Sequence, residues 1–413
     1  MADPQMLTED NCLQILEKHL KTRDFQLKSF KILSFHNPMQ GLIGEHFTLR
    51  IDYSCKGEQR TQDFFVKTLS TNPFMLNLTK TIQVYEKEAL FYKLLGEFEK
   101  YGIDTSFSPK GYFFKPYITV LQDLSEKGYK GTPKRKLLDL EHCRTCLKAI
   151  AKFHASSVIY EKRKSEELGK KYSLKDEYSE LLEDKFASEE ETVATRWMVS
   201  SIQGLFQLID LIPENHVSHE TFKATLSELL SMDSGDDSLV SGVLHGDLWS
   251  SNFLYLYEGD KPVESKLLDY QLLKYGPLEL DLVEFLMTNT TRDFRDKNFH
   301  SLIEYYYKNL SELLIRAGLE CDEILAGSCE FVRSCDNFKL AGKVHAIVDH
   351  SFTFVSDEIY GDAMKSEESF RKFLFEERGK YVIESYNKSE EFKNMLREDV
   401  LELRDLLFPG ESD

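Results

Sequence analysis

Val243-Leu-His-Gly-Asp-Leu-Trp-Ser-Ser-Asn252 and, further on, Leu267-Leu-Asp-Tyr-Gln271 are the stretches on which the fold turns. Four residues lie between Asp247 and Asn252. Moving a phosphoryl group off a nucleotide asks for few protein groups. One carboxylate must orient the attacking hydroxyl and take its proton; another carboxylate and an amide oxygen must hold Mg²⁺ on the phosphates. Asp-x-x-x-x-Asn is the spacing of a catalytic loop built for that purpose. Phe253–Tyr257 and Lys266–Tyr270 read as two short strands, so Asp269 returns beside the loop. Each residue alone has a plainer reading: Asp247 as a cap, Asn252 as a turn residue, His245 as a packed histidine. The ordered combination is what argues for chemistry. Asp247 is the candidate base; Asn252 and Asp269 are the candidate metal ligands.

A cation for the non-transferring phosphates is found upstream, in Phe64-Phe-Val-Lys67. A lysine closing an apolar strand is costly unless it is partnered. Glu86 and Glu88, on the helical stretch Tyr85–Tyr92, both compete for it, and they project from different sides of that helix. Gly41-Leu-Ile-Gly44 precedes a strand whose Phe47, Leu49, Ile51 and Tyr53 alternate. The two glycines stand where a phosphate-covering loop belongs. The spacing is neither G-x-G-x-x-G nor a Walker A, and a hairpin turn reads as well.

Widening the view, Thr8–Leu20 reads as a helix. Phe25–Phe35, His46–Tyr53, Thr61–Leu69, Gly111–Phe114 and Tyr117–Leu121 read as strands around a helix at Ile82–Leu95. The first ~120 residues thus form a small, mostly antiparallel α+β layer. Gly128, Gly131 and Pro133 mark a loop, and helical periodicity then dominates: Leu138–Tyr160, Leu174–Asp184, Ala194–Ile212, Ser218–Met232, Lys297–Gly318, Glu320–Phe354, Glu367–Tyr386 and Ser389–Leu407. The expected fold is bilobed α+β, with a β-rich lobe at 1–121, a connector at 122–128 and a helical lobe at 129–413.

Bulk properties narrow the partners. A net charge of -18 argues against nucleic acid and against anionic membranes. The opening Met1-Ala-Asp-Pro-Gln predicts no secretory signal, and without a run of 18 apolar residues no transmembrane helix is expected. Seven scattered cysteines do not form a disulfide framework and fit a reducing, cytoplasmic setting. Cys143-Arg-Thr-Cys146 lies within a helical pattern and has no second pair to complete a zinc set.

These motifs resemble the ecdysteroid kinase-like (CHK-type) family, a branch of the choline kinase and aminoglycoside phosphotransferase superfamily. The marks are Val66-Lys67, Glu88-Ala-Leu-Phe-Tyr92, Val120-Leu-Gln-Asp-Leu124 and Leu147–Ala155. They continue with His245-Gly-Asp-Leu-Trp249, Asn252, Asp269-Tyr-Gln271 and Gly276-Pro-Leu-Glu-Leu-Asp-Leu282. The resemblance implies a protein-kinase-like fold, ATP and Mg²⁺ as cofactors and a small-molecule alcohol as acceptor. Asp247 would be the base, Asn252 and Asp269 the Mg²⁺ ligands. Lys67 would contact ATP and pair with Glu88, Gly41 and Gly44 would cover phosphates, and the backbone around Gln122–Leu124 would read adenine. Asp281 would brace the catalytic loop. Two positions depart from the family pattern: His46 precedes Phe47 where Asn is common, and Gln122 replaces Glu.

Only 11 residues separate Asp269 from Asp281, too few for a protein kinase's activation segment. The resemblance points to ecdysteroids or other lipophilic alcohols. The acidic chain also suits a cationic acceptor such as choline or an amino-sugar. A pseudokinase that binds without turnover is the reading from another class. Aromatics after Asp281, among them Phe285, Tyr306, Phe331, Phe338 and Phe352, read as helical core, of which some would line an apolar acceptor pocket.

Overall fold

Five strands carry the N-terminal lobe: β1 (Gln26–Ser34), β2 (Gly44–Cys55), β3 (Glu58–Leu69), β4 (Gly111–Lys115) and β5 (Ile118–Gln122). They form one antiparallel sheet in the order β1-β2-β3-β5-β4. The structure is a computed structural model and describes residues 6–34, 44–69, 73–133, 135–186, 190–212, 214–231, 239–321 and 324–410.

Period-two alternation divides the sheet. Phe47, Leu49, Ile51, Tyr53, Phe64 and Val66 point to one face, against Cys12, Ile15 and Leu16 of α1 (Glu9–Leu20). Thr8 and Asn11 close a capping box at the start of that helix. Phe65 and Lys67 therefore face the other way. There they meet α3 (Val84–Lys100), which follows the short α2 (Pro73–Thr81). The β2–β3 hairpin turns through Lys56 and Gly57, both at positive φ, as a tight hairpin requires. Its register sets His46 opposite Lys67.

The helical lobe begins with α4 (Leu140–Leu168), capped by Asp139 and stopped by Gly169 in the left-handed region. It continues through α5 (Leu174–Glu177), α6 (Val193–Ile209) and α7 (His219–Ser231). Two small antiparallel pairs interrupt the helices. One joins β6 (Ser241–Leu244) to β9 (Lys274–Pro277); the other is the hairpin β7 (Phe253–Glu258) and β8 (Lys261–Leu267). Then come α8 (Leu278–Asn289), α9 (Arg292–Arg316), α10 (Ser328–Asn337), α11 (Lys339–Thr353), α12 (Asp357–Ala363), α13 (Glu367–Phe375), α14 (Arg378–Lys388) and α15 (Glu390–Leu407). The largest core joins α3, α4, α8 and α9 to the β7–β8 hairpin. Tyr270 sits within it, stacked on Phe91 of α3 at 3.5 Å between ring centres and tilted against Phe153 of α4.

The bilobed α+β expectation holds. Three long helices do not. The stretch expected at Glu320–Phe354 is two helices, divided at Phe338. The stretch at Glu367–Tyr386 breaks before Arg378, whose side chain donates to the carbonyls of Phe373 and Leu374. Those carbonyls would otherwise accept the next helical amides. Leu174–Asp184 stays helical only to Glu177, and the Leu182 carbonyl instead accepts from the Tyr275 amide of β9. Among the described residues no helix is long and apolar enough to cross a membrane.

Candidate active site

β6 buries Val243 and Leu244 and delivers the chain to His245 and Gly246. Gly246 has φ +72°, and a Cβ there would lie 2.4 Å from the Leu272 carbonyl oxygen. Only glycine fits this turn. Asp281, in the first turn of α8, fixes the turn from below. Its carboxylate accepts the His245 amide at 2.7 Å and the Gly246 amide at 3.1 Å, and lies 3.1 Å from His154 Nε2. Burial pushes the Asp281 carboxyl up; these hydrogen bonds more than reverse it, leaving it below the ordinary carboxylate range.

His245 ties this loop to the strand beyond. Its Nε2 donates to the Leu268 carbonyl at 2.8 Å, and the Leu268 amide donates to the Asn252 carbonyl at 2.9 Å. Asn252 Nδ2 donates to both the backbone and the side-chain oxygen of Asp247, each at 2.8 Å. The next residue after Leu268, Asp269, holds φ +62°, a left-handed conformation that Asp tolerates better than most residues. Such a residue is held there by its surroundings and is common at functional sites.

Lys67 crosses from the sheet to meet this loop. Its Nζ donates to Asp269 Oδ1 at 2.6 Å and lies 3.5 Å from Glu88 Oε1. Lys67 is 8% exposed and Glu88 2%. Glu86 is exposed, so Glu88 is the partner and the competition on α3 is resolved. Gln271 completes the knot: with its amide oriented to suit both neighbours, its nitrogen donates to Asp269 Oδ1 at 3.0 Å and its oxygen accepts from Lys67 Nζ at 2.7 Å. Burial draws the Lys67 ammonium down, but Asp269 and Glu88 outweigh it and raise it overall. Burial lifts Glu88 to about 7 despite Lys67. Burial, then the charges of Asp269 and Asp349, hold the Asp247 carboxyl well above the ordinary range.

The walls around these groups enclose a cleft of about 950 Å³, its open mouth included. Lys67, Asp247, Asn252, Asp269 and Gly44 all line it. Glu88 sits behind Lys67. A Cβ on Gly44 would lie 2.4 Å from the Thr68 carbonyl oxygen, so this glycine lets β2 close against β3 at the cleft edge. Gly41 lies outside the described residues. Gln122 and Leu124 stand apart from the cleft wall. The Gln122 amide is taken by the Lys110 carbonyl at 2.8 Å, and the Leu124 carbonyl accepts from Lys127 at 3.0 Å.

His46, facing Lys67 across the hairpin, also lines the cleft, and burial with the Lys67 charge pushes it down to about 4. The reading from sequence missed much of the wall: Met75 and Leu78 of α2, Ile82, Trp197, Trp249 and Asp349. Of the aromatics expected after Asp281, Phe352 reaches the cleft, while Phe285, Tyr306, Phe331 and Phe338 are core. Trp249 stands inside the quoted loop motif; no local pattern marks the others, because they converge from α2 and the turn after it, α6 and α11. Gln271 was quotable as part of a motif but carried no role. Cys143 and Cys146 are buried free thiols, the latter 3.2 Å from the Tyr255 hydroxyl.

A five-stranded sheet over a helical lobe, with a lysine–glutamate pair reaching an Asp-Asn-Asp loop, defines the class by its fold: bilobed α+β, kinase-like. The chain belongs to the ecdysteroid kinase-like family, whose model matches residues 41–319. No curated protein matches it. Among solved structures it is similar to an ethanolamine kinase from Plasmodium vivax (TM-score 0.42, 11% identity, 94% of this chain and 89% of that one). It is also similar to choline kinase LicA from Streptococcus pneumoniae (TM-score 0.36, 10% identity, 94% and 98%). A third is a putative aminoglycoside phosphotransferase from Ralstonia eutropha (TM-score 0.39, 12% identity, 94% and 98%).

Proposed function

We propose that the protein is an ATP- and Mg²⁺-dependent kinase that phosphorylates a hydroxyl of a small, lipophilic alcohol such as an ecdysteroid or a xenobiotic. The observation that carries this reading is the convergence of Lys67, Asp269, Asn252 and Asp247 on one cleft wall from separate parts of the chain. Residues 1–121 would hold the nucleotide, 122–128 would connect the lobes, and 129–413 would supply the catalytic loop and the acceptor site. Free thiols suit a cytoplasmic setting.

The donor set fits Mg²⁺. Asn252 spends its amide nitrogen on Asp247, which leaves the amide oxygen for a cation. Asp269 offers its second carboxylate oxygen beside the one Lys67 holds. Among the described residues three cleft carboxylates, Asp247, Asp269 and Asp349, face one ammonium, so a divalent cation is electrostatically welcome. Among the described residues no three His, Cys, Asp or Glu side chains form a cation cage. Mg²⁺ in such sites is completed by phosphate oxygens and water. When bound, it neutralises charge on the phosphates.

The chain's own groups do the rest. Lys67, steadied by Glu88 and Gln271, holds phosphate oxygens. Asp247, oriented by Asn252, accepts the acceptor's hydroxyl proton. The hydroxyl oxygen bonds to the γ-phosphorus as the bond to the β–γ bridging oxygen breaks, giving a phosphate ester and ADP. Met75, Leu78, Ile82, Phe186, Trp197 and Phe352 give the cleft an apolar lining suited to a neutral alcohol.

The test is purified protein with labelled ATP and a panel of ecdysteroids, plant phenols, choline and aminoglycosides. Label on the neutral lipophilic alcohols is expected. Label on the cationic compounds alone overturns the lipophilic reading. Nucleotide binding with no labelled product from any class identifies a pseudokinase.

A further inference from the structure

Past Asp247 the cleft continues into a second space of about 670 Å³, its open mouth included. Among the described residues, six line both spaces: Ile82, Phe186, Trp197, Asp247, Leu272 and Asp349. Four of these are apolar. The other two are carboxylates. Lys67, Asn252 and Asp269 line only the first space, so an acceptor reaches Asp247 from the second.

The other charged groups of the second space are already engaged. Lys274 lies 3.4 Å from both Asp184 and Glu284. Lys87 Nζ donates to the carbonyls of Leu273 and Glu183, at 2.7 and 3.1 Å. Lys185 pairs with Glu183 at 2.5 Å, and His345 lies 3.6 Å from Glu284. Asp349 is different. Among the described residues its carboxylate receives one long contact, 3.5 Å from Thr353 Oγ1, and that hydroxyl makes a better bond, 2.9 Å, to the Asp349 carbonyl. A carboxylate with so little to satisfy it calls for a donor from elsewhere. Asp349 also comes from α11, outside the segment 41–319 that the family model matches.

We propose that Asp349 is a specificity-determining residue that accepts a hydrogen bond from a second hydroxyl of the acceptor, adjacent to the one phosphorylated. The preferred substrate is then a diol on an apolar body: one hydroxyl at Asp247, its neighbour at Asp349, and the body against Ile82, Phe186, Trp197 and Leu272. The inference rests on the kinase reading for what happens to the first hydroxyl; the binding preference stands without it.

Indan-1-ol, cis-indane-1,2-diol and 1-amino-2-indanol share one apolar skeleton and separate the possibilities. With full-length protein and MgATP, the diol should exceed the mono-alcohol by about 10- to 100-fold in kcat/KM, expressed mainly in KM. In Asp349→Ala, and in the volume-conserving Asp349→Asn, that ratio should shrink toward one. Calorimetric Kd values for the same compounds, measured without turnover, should show the same ratio and the same collapse. Diol preference in binding without any phosphorylated product supports the role of Asp349 and rejects the kinase reading. Equal binding of diol and mono-alcohol by the wild type overturns the proposal, as does no binding of the diol. A ratio that survives in both variants overturns it too. Preference for the amino alcohol over the diol replaces the hydroxyl by an amine and overturns it as stated.

Discussion

Two charged clusters lie inside this protein, and they are balanced in opposite ways. In the cleft, Lys67 is the one cation, among the described residues, that serves Glu88 and Asp269, with Asp247 close by. In the C-terminal helices, Lys343, Arg295 and His350 serve Asp399 and Glu402. Lys343 Nζ lies 3.0 Å from Asp399 and 2.6 Å from Glu402, Arg295 also pairs with Glu402, and His350 Nδ1 lies 2.7 Å from Asp399. The carboxyls report the difference. Burial raises Asp247 and Glu88 and is not overcome. Burial also raises Asp399 and Glu402, yet Lys343 with His350 or Arg295 pulls both below the ordinary range. A cluster that is neutralised internally fastens α15 to α9 and α11. A cluster left with excess negative charge keeps room for a cation and a ligand.

The contrast breaks most sharply at the proposed metal ligands. Asp269→Ala should lose turnover at every Mg²⁺ concentration, while Asn252→Ala should be partly rescued by excess Mg²⁺ or Mn²⁺. Full activity in EDTA would refute the metal assignment. Next in size, Asp247→Asn should lower kcat by ~10²–10⁴-fold. Because it removes one charge from an under-neutralised cluster, its Tm should hold or rise. Near-normal turnover removes Asp247 from the base role; a large fall in Tm shows that the carboxylate is structural.

The balanced cluster should behave in reverse. Lys343→Met strands buried carboxylates and should cost roughly 3–5 kcal/mol in urea unfolding. A loss below about 1 kcal/mol would show that the cluster does not hold the helices. Its pH dependence is the finest measure. Asp399 is depressed in the fold, so its contribution is present above the unfolded carboxyl value of ~3.9 and is lost as pH falls through the depressed one. His350 is raised by Asp399 against burial, so its contribution is full below ~6.5 and fades as pH rises through the raised value. The cluster therefore stabilises most between about pH 4 and 6.5. Asp399→Asn should flatten both limbs, and unchanged limbs would place the titration elsewhere.

The candidate loop was legible as a unit because its spacing is local. Asp247, Asn252 and Asp269 are set by spacing within one strand-turn-strand unit, and Lys67 by its place at the end of an apolar strand. The sheet was legible through alternation at Phe47, Leu49, Ile51 and Tyr53. β6 and β9 were not, since four residues each leave no period to read. Glu86 and Glu88 differ only in which side of α3 meets the sheet, a tertiary fact. The breaks at Phe338 and before Arg378 were hidden because apolar periodicity runs on through them. Arg378 is the extreme case: a buried guanidinium stacked over Trp197, Phe352 and Phe373, which an exposed-arginine reading would place at the surface. Asp349 belongs to a wall assembled from distant helices, and nothing near it in the chain sets it apart from any other helical aspartate.

The ring of Tyr270 has a mechanical consequence. It lies flat on Phe91 of the upper lobe, leans on Phe153 of the lower, and follows Asp269 in the chain. Its hydroxyl is anchored to the Leu267 carbonyl at 3.2 Å. The ring is thus a wedge set behind the reactive groups, packed into the core that joins the two lobes. The Lys67–Asp269 contact adjoins it in the chain, so the packing that fastens the lobes together also keeps that pair in register.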